Sequence, residues 1–309
     1  MPATMARMKE EQGADRMWSR FVQSPEDLYA SRSMRFRSDN KDLWLGAMKL
    51  ADGMKILEVG CGPGAFCHRI KAFLPGASVT GIDRDAGHVE HAAAKSRELG
   101  VDCAFLVGDA LSLPFADGSF DACSSHTVIE HVETGRFLSE QLRVLKSGGV
   151  ASVLSVRASL NVAPENWKPV DPEEAALLEK AWEKAGNYGG ERGVGAHPLK
   201  ESVIPAALDR AGFRDVAVGF ISVVPYAPDS ADVSQELALE QINANWIAAL
   251  SSMENALRIF PSGLSDGEKA RLAQLINQRH DDRIGKYLRG EKLWDIATST
   301  VMAVTGRKP

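Results

Sequence analysis

The stretch ILEVGCGPGAF, residues 56–66, carries an apolar run that ends at Val59 and stops abruptly at Gly60, Gly62 and Gly64 before a helix-like pattern begins. It reads as a strand, a tight glycine turn and the start of a helix. Glycine suits such a turn because the backbone needs positive dihedrals there and because a ligand can then approach the main chain closely. Pro63 has no N–H, but the remaining amides of the turn and the first helical turn can point at a negative group. A βα turn whose glycines serve packing alone would use the same residues.

Working outward, residues 55–156 alternate strand and helix patterns. Lys55–Val59, Ser78–Asp83, Cys103–Val107, Phe120–Ser125 and Val150–Val156 read as buried strands; Ala65–Phe73, Gly87–Leu99 and Gly135–Leu145 read as helices, the last stopping at Ser147-Gly148-Gly149. Such alternation predicts an α/β fold, a parallel sheet with helices on both faces and ligands outside the carboxyl ends of the strands. Residues 1–50 form an N-terminal helical cap, and 157–199 form an insertion containing a helical run and a glycine-rich tail. A helix over Lys200–Ala211 and a strand over Val216–Val224 follow. Residues 229–295 form a helical insertion or lid, with a capping box at Ser265–Glu268, before a last strand at Thr300–Thr305. The core therefore comprises 51–228 and 296–309, with the helical block between the last two strands.

Of 309 residues, 44% are hydrophobic and 25% charged, which fits a soluble globular chain and neither a fibrous nor a disordered one. The net charge of −5 argues against a nucleic-acid backbone as partner. The four cysteines show no C-x-x-C pair and no metal-ligand spacing, so buried free thiols are expected and no metal site. With no apolar run near the roughly 18 residues of a membrane helix and no secretory h-region, a cytoplasmic location is expected, with no membrane partner. Arg32, Arg35 and Arg37 in YASRSMRFR read as a solvated basic face of the cap.

The turn reads E-x-G-x-G-x-G over Glu58, Gly60, Gly62 and Gly64, whereas a dinucleotide fingerprint would place its third glycine at position 65, where Ala65 stands. That offset disfavours a nicotinamide dehydrogenase. Asp83 ends the second strand, where a carboxylate can accept bonds from both ribose hydroxyls, and Asp109 follows the third. Either acid alone could be an N-cap or turn residue. An acceptor at Asp109 can take the exocyclic amine of a base lying along the sheet edge.

Taken in order, ILEVGCGPG, GIDRD, VGDALSLPFADGSFDACSSHTVIEHV and LRVLKSGG resemble the motifs of class I S-adenosylmethionine-dependent methyltransferases of the small-molecule type, over about residues 40–156, and the closing VMAVTGRKP resembles that fold's final strand. The resemblance implies a Rossmann-like, seven-stranded, mostly parallel sheet whose seventh strand runs antiparallel between the fifth and sixth. It implies S-adenosyl-L-methionine as cofactor, leaving S-adenosyl-L-homocysteine. Gly60, Cys61, Gly62 and Gly64 would surround its methionine part, with Glu58 supporting the turn. Asp83 would hold the ribose, Arg84 would flank the adenine, and Asp109, Ala110 and Leu111 would read the adenine edge. Ser125 and His126 would sit nearest the methyl group. His126 is then the best-placed of the candidate bases His126, Glu130, His131 and His197, with a steric or hydrogen-bonding role as its alternative.

No [D/N/S]-P-P-[Y/F/W] follows the fourth strand, which disfavours a nucleic-acid base as acceptor. All tryptophans and tyrosines lie outside 51–156. Tyr29, Phe36, Tyr188, Tyr226 and Trp246, with His131 and His197, are therefore expected to form an acceptor pocket; the aromatic residues could equally be the core of the added helices. Two further alternatives are a module that binds the cofactor without turnover and an enzyme that uses the same sulfonium for another reaction.

Overall fold

The computed structural model describes residues 16–162, 171–183, 185 and 194–309; Tyr188 lies outside them. The chain divides into two compact units, with boundaries after Arg157, before Gly193, after Ile221 and after Thr300.

The first unit opens with the cap helices α1 (Met17–Phe21), α2 (Pro25–Ser33) and α3 (Lys41–Met48). The α/β core follows as β1 (Lys55–Val59), α4 (Ala65–Phe73), β2 (Ser78–Asp83), α5 (Ala86–Leu99), β3 (Cys103–Val107), β4 (Phe120–His126), α6 (Thr134–Val144) and β5 (Leu145–Val156). After it come α7 (Pro172–Glu183), α8 (Val203–Arg210), β6 (Arg214–Tyr226), α9 (Gln235–Ile259), α10 (Asp266–Leu288) and β7 (Ala297–Arg307).

The seven strands form one sheet in the order β3-β2-β1-β4-β5-β7-β6. β1 lies parallel to both β2 and β4, and β7 runs antiparallel to β5 from Val150 opposite Arg307 to Val156 opposite Val301. The expected seventh strand, antiparallel and inserted between the fifth and sixth, is therefore β7. Because the chain leaves β1 toward β2 on one side and places β4 on the other, a crevice opens between β1 and β4 at their carboxyl ends.

Strands covered on both faces read as near-continuous apolar runs, and in β1 every residue but Lys55 is buried. One core cluster joins Leu57, Val59 and Phe120 of the sheet to Phe137 and Leu138 of α6 and Leu208 of α8. The helix α6 starts where the Glu133 carboxylate accepts the Gly135 and Arg136 amides. It does not stop at the glycine pair. β5 begins directly at Leu145, and a register break between Phe120 and Ala122, with Gly148 at φ +75°, absorbs Gly148 and Gly149 within the strand.

An aromatic cluster fixes the cap. Phe36 and Trp44, both 0% exposed, lie against Phe66 with ring centroids 5.3 Å away in each case, and Phe36 also meets Phe73 at 5.2 Å. The Trp44 Nε1 donates to the Arg35 carbonyl at 2.8 Å.

In the second unit α7 packs with α9 and α10 through Ala181, Met253, Ala256, Leu272 and Ile276. The helical run of the 157–199 insertion thus shares a core with the late helical block. Ser265 and Glu268 cap α10 reciprocally, as their spacing predicts. Buried Arg283 is held between Asp229 and Asp295 at 3.0 and 2.7 Å.

Phe137 is fully buried at the centre of the sheet–helix cluster. Phe137→Ala is expected to cost about 3–5 kcal/mol of stability, read as a lower urea midpoint; a loss under about 1 kcal/mol would show that this cluster is not what holds the core.

Candidate functional site

A cavity of about 800 Å³ lies at the carboxyl ends of the strands of the first unit. This is a volume typical of small-molecule sites. Its floor is the glycine turn. Gly60, Gly62 and Gly64 all have positive φ, at +72°, +53° and +88°. A Cβ on Gly60 would overlap the Val128 side chain, and one on Gly64 would lie 2.8 Å from Ala92 Cβ and 3.0 Å from Phe105. Gly60 therefore keeps the cavity floor open, while Gly64 allows α4 to sit tightly against its neighbours and does not line the cavity.

Asp83 at the end of β2 ties this turn down. One carboxylate oxygen accepts the Gly62 amide at 2.8 Å, the other accepts the Asp85 amide at 2.9 Å, and the Asp83 carbonyl accepts the Gly108 amide at 2.9 Å. Burial raises its pKa above the usual carboxylate value, the opposing amide bonds notwithstanding. Each oxygen keeps a free lone pair for a ligand on the cavity side. Exposed Asp109 accepts the Leu111 amide at 2.9 Å, and Asp109, Ala110, Leu111 and Arg84 all line the cavity beside it. Cys61 lines it too. Ser125 does not: its side chain is buried beneath, its hydroxyl without a partner among the described residues.

Across the crevice, His126 ends β4, 6% exposed and stacked on Phe66 at 4.7 Å. Its Nε2 is buried with no hydrogen-bond partner among the described residues. Burial, aided by the charges of Arg32 and Arg35, holds its pKa well below the ordinary histidine value, so the ring is neutral. Thr127 follows at φ +54°, a strained conformation for a β-branched residue. Its hydroxyl accepts the Arg32 Nη2 at 3.0 Å and donates to the His126 carbonyl at 2.7 Å.

The far wall holds His131, whose Nδ1 accepts the Gly195 amide at 2.7 Å and whose ring meets Trp18 edge-on at 4.8 Å. Burial, with Arg84 and Arg32 nearby, lowers its pKa to about 4. His197 also lines the cavity, its amide donating to the Glu130 carbonyl at 2.9 Å. Glu130 does not line it; the carboxylate bonds Ser155 and Arg157.

Of the residues expected to form an acceptor pocket, His131 and His197 reach this cavity. Tyr29 does not, because its hydroxyl is 3.2 Å from His68 Nδ1 on the side of α4. Phe36 lies in the cap's aromatic core. Tyr226 and Trp246 line a separate cavity of about 570 Å³ within the second unit. Residues absent from the expected set complete the first cavity: Trp18, Arg32, Arg35 and Thr127. No spacing marked them. Arg32 and Arg35, expected on a solvated face, turn inward beside Phe36, which Trp44 and Phe66 hold in the cap's core. Among the described residues no group of three or more metal-ligating side chains occurs, and no helix is long and apolar enough to cross a membrane.

Glu58 lies under the turn, 2% exposed and bonded to the Ser124 hydroxyl, and burial raises its pKa to about 7. Between its ordinary pKa of 4.5 and about 7 the native state keeps a proton that the unfolded chain releases, so stability falls as pH rises through that window. Relative to Glu58→Gln, the protein is expected to lose up to about 3 kcal/mol between about pH 5 and pH 8. Parallel stability–pH curves for the two proteins would place a charged carboxylate there instead.

A family profile described as a methyltransferase domain matches residues 57–153. The chain is similar to a sterol 24-C-methyltransferase of Yarrowia lipolytica, 31% identical over 191 residues, covering 59% of this chain and 46% of the relative. It is also similar to norajmaline N-methyltransferase of Rauvolfia serpentina, 36% identical over 129 residues, covering 40% and 43%. The chain spans less than half the length of either. Phosphoethanolamine N-methyltransferase 2 of Haemonchus contortus, solved with S-adenosyl-L-methionine, shares the fold with a TM-score of 0.51 at 16% identity, covering 96% of this chain and 60% of that one. Residues 57–153 thus match a methyltransferase domain, and the strand order and glycine turn are those of the Rossmann-like fold of class I S-adenosylmethionine-dependent methyltransferases.

Proposed function

We propose that the protein transfers the methyl group of S-adenosyl-L-methionine to a small organic acceptor. The observation that carries this reading is the glycine turn, held open at the mouth of the β1–β4 crevice by its bond to the Asp83 carboxylate. The relatives named above for methyl transfer to a sterol and to an alkaloid support a small acceptor. In this proposal the methionine part of the donor lies over Gly60, Cys61 and Gly62, and the ribose hydroxyls donate to Asp83. The adenine lies between Arg84 and the Asp109–Leu111 loop. The sulfonium then points toward His126 and Thr127.

Methyl transfer from a sulfonium is an in-line displacement with a neutral leaving group. The protein has to align the nucleophile and exclude water, and it needs a base only for a protonated nucleophile. A histidine as depressed in pKa as His126 is a weak proton acceptor. We assign it instead a positioning role, its ring walling the cavity at the end of β4 where the acceptor has to stand. The net charge of −5 and the free state of all four cysteines support a cytoplasmic enzyme without a nucleic-acid partner.

Calorimetry is expected to show binding of S-adenosyl-L-methionine and S-adenosyl-L-homocysteine and none of NAD; failure of the first two to bind ends this reading. Asp83→Ala should weaken the product's binding by about 1–3 kcal/mol, and full retention of affinity would move the ribose elsewhere. If His126 only positions the acceptor, His126→Gln raises KM and the wild-type pH–rate profile shows no break in the histidine range. Such a break, lost in the variant, would make His126 a base.

A further inference from the structure

Arg32 and Arg35 both line the cavity, and among the described residues neither makes an ion pair. Arg32 has a neutral partner only, the Thr127 hydroxyl at 3.0 Å. The Arg35 guanidinium makes no hydrogen bond among the described residues, and its Nη1 is buried and unsatisfied. Arg35 is nonetheless firmly placed, because its carbonyl accepts both the Trp44 indole and the Asn40 amide, at 2.8 and 2.9 Å. The third arginine of the cluster, Arg37, behaves differently: it pairs with Asp39 through two hydrogen bonds and does not line the cavity.

The energetic position is unusual. Burial lowers the pKa of both guanidiniums, that of Arg32 to about 9 with Arg35 adding repulsion, and no carboxylate acts in the other direction. Both side chains are half-buried, and a guanidinium withdrawn from water without an ion partner is unfavourable, so folded proteins keep such groups where a ligand completes them. Neither acid nearest the turn serves: Glu58 is bonded to Ser124 and Asp83 is held by two backbone amides.

Resting on the methyl-transfer reading above, we propose that Arg32 and Arg35 bind an oxyanion of the methyl acceptor, so that the substrate class is a small carboxylate or phosphate monoester. The donor cannot neutralise this pair alone. Its amino-acid end carries one carboxylate and one ammonium, and its sulfonium adds a further positive charge. Even if that carboxylate met one guanidinium, the closed site would hold three net positive charges from the donor and the two arginines. An anionic acceptor lowers that sum. A planar guanidinium also matches the two oxygens of a carboxylate or phosphate. The bond from Arg32 to Thr127, next to His126, sets this anion beside the end of β4, where the nucleophile has to stand.

The test uses the full chain saturated with S-adenosyl-L-homocysteine, titrated calorimetrically with inorganic phosphate, benzoate and benzamide. Phosphate and benzoate are expected to bind, with benzamide at least tenfold weaker. In Arg32→Gln/Arg35→Gln, phosphate binding should fall at least tenfold while homocysteine-product affinity changes less than threefold. Failure of both anions to bind the wild type, or equal binding by the variant, overturns the proposal. So does a tenfold loss of product affinity with anion binding unchanged, which would give the arginines to the donor's own carboxylate. Absence of product binding to the wild type would instead remove the methyl-transfer reading, and phosphate titration of the ligand-free protein would still report on the arginines. Folding gives a further readout: without ligand, Arg35→Gln should melt no lower than wild type, and phosphate should raise the melting temperature of the wild type alone. The benzoate–benzamide comparison needs no variant.

Discussion

The Asp83 carboxylate at the end of β2 is the constraint on which the site depends. Its two oxygens and its carbonyl receive amides from three separate places: the glycine turn, its own loop and the loop after β3. Backbone N–H groups at the carboxyl edge of a parallel sheet need partners once strand pairing ends. A single acid meets several of those needs at once and so fixes the spacing between turns that otherwise belong to different βα units. The glycines then set which conformations the turn can take, and the acid sets where the turn stands.

Around that frame, charge is managed by burial. Glu58, His126 and His131 are pushed toward their neutral forms, so these three meet the cavity as hydrogen-bonding groups with little charge of their own. Hydrogen bonds in such a weakly screened cavity are strong, and an unpaired group is correspondingly unfavourable. The two cap arginines break that pattern. Among the described residues they are the cap guanidiniums that line the cavity, and they set positive charge over β4, while Arg84 stands with the acids on the β2–β3 side.

How much was legible in the sequence depended on how local each determinant is. The βα alternation, the turn over Gly60–Gly64 and the acids at 83 and 109 follow from spacing along single strands, whereas the antiparallel direction of the last strand came from the family resemblance alone. The inward aim of Arg32 and Arg35 does not follow from spacing; it accompanies the packing of Phe36 and Trp44 on a helix 30 residues further along. Aromatic content likewise could not distinguish a wall from a core: Phe36 went to the cap's interior, and Tyr226 and Trp246 went to the second unit. Thr127 was hidden for another reason. Its strained backbone stands where its amide donates to the Leu154 carbonyl, a partner 27 positions away.

The place of β7 has a consequence for biosynthesis. The last strand in the sequence is an interior strand of the sheet, between β5 and β6, and its neighbours Gly148 and Gly149 exchange backbone hydrogen bonds with Lys308. While a ribosome still holds those residues, β5 presents a bare apolar edge and β6 has no partner on that side. The sheet can close only after residues 297–307 have left the exit tunnel, so the nascent chain must be kept from pairing with other chains until that segment has emerged.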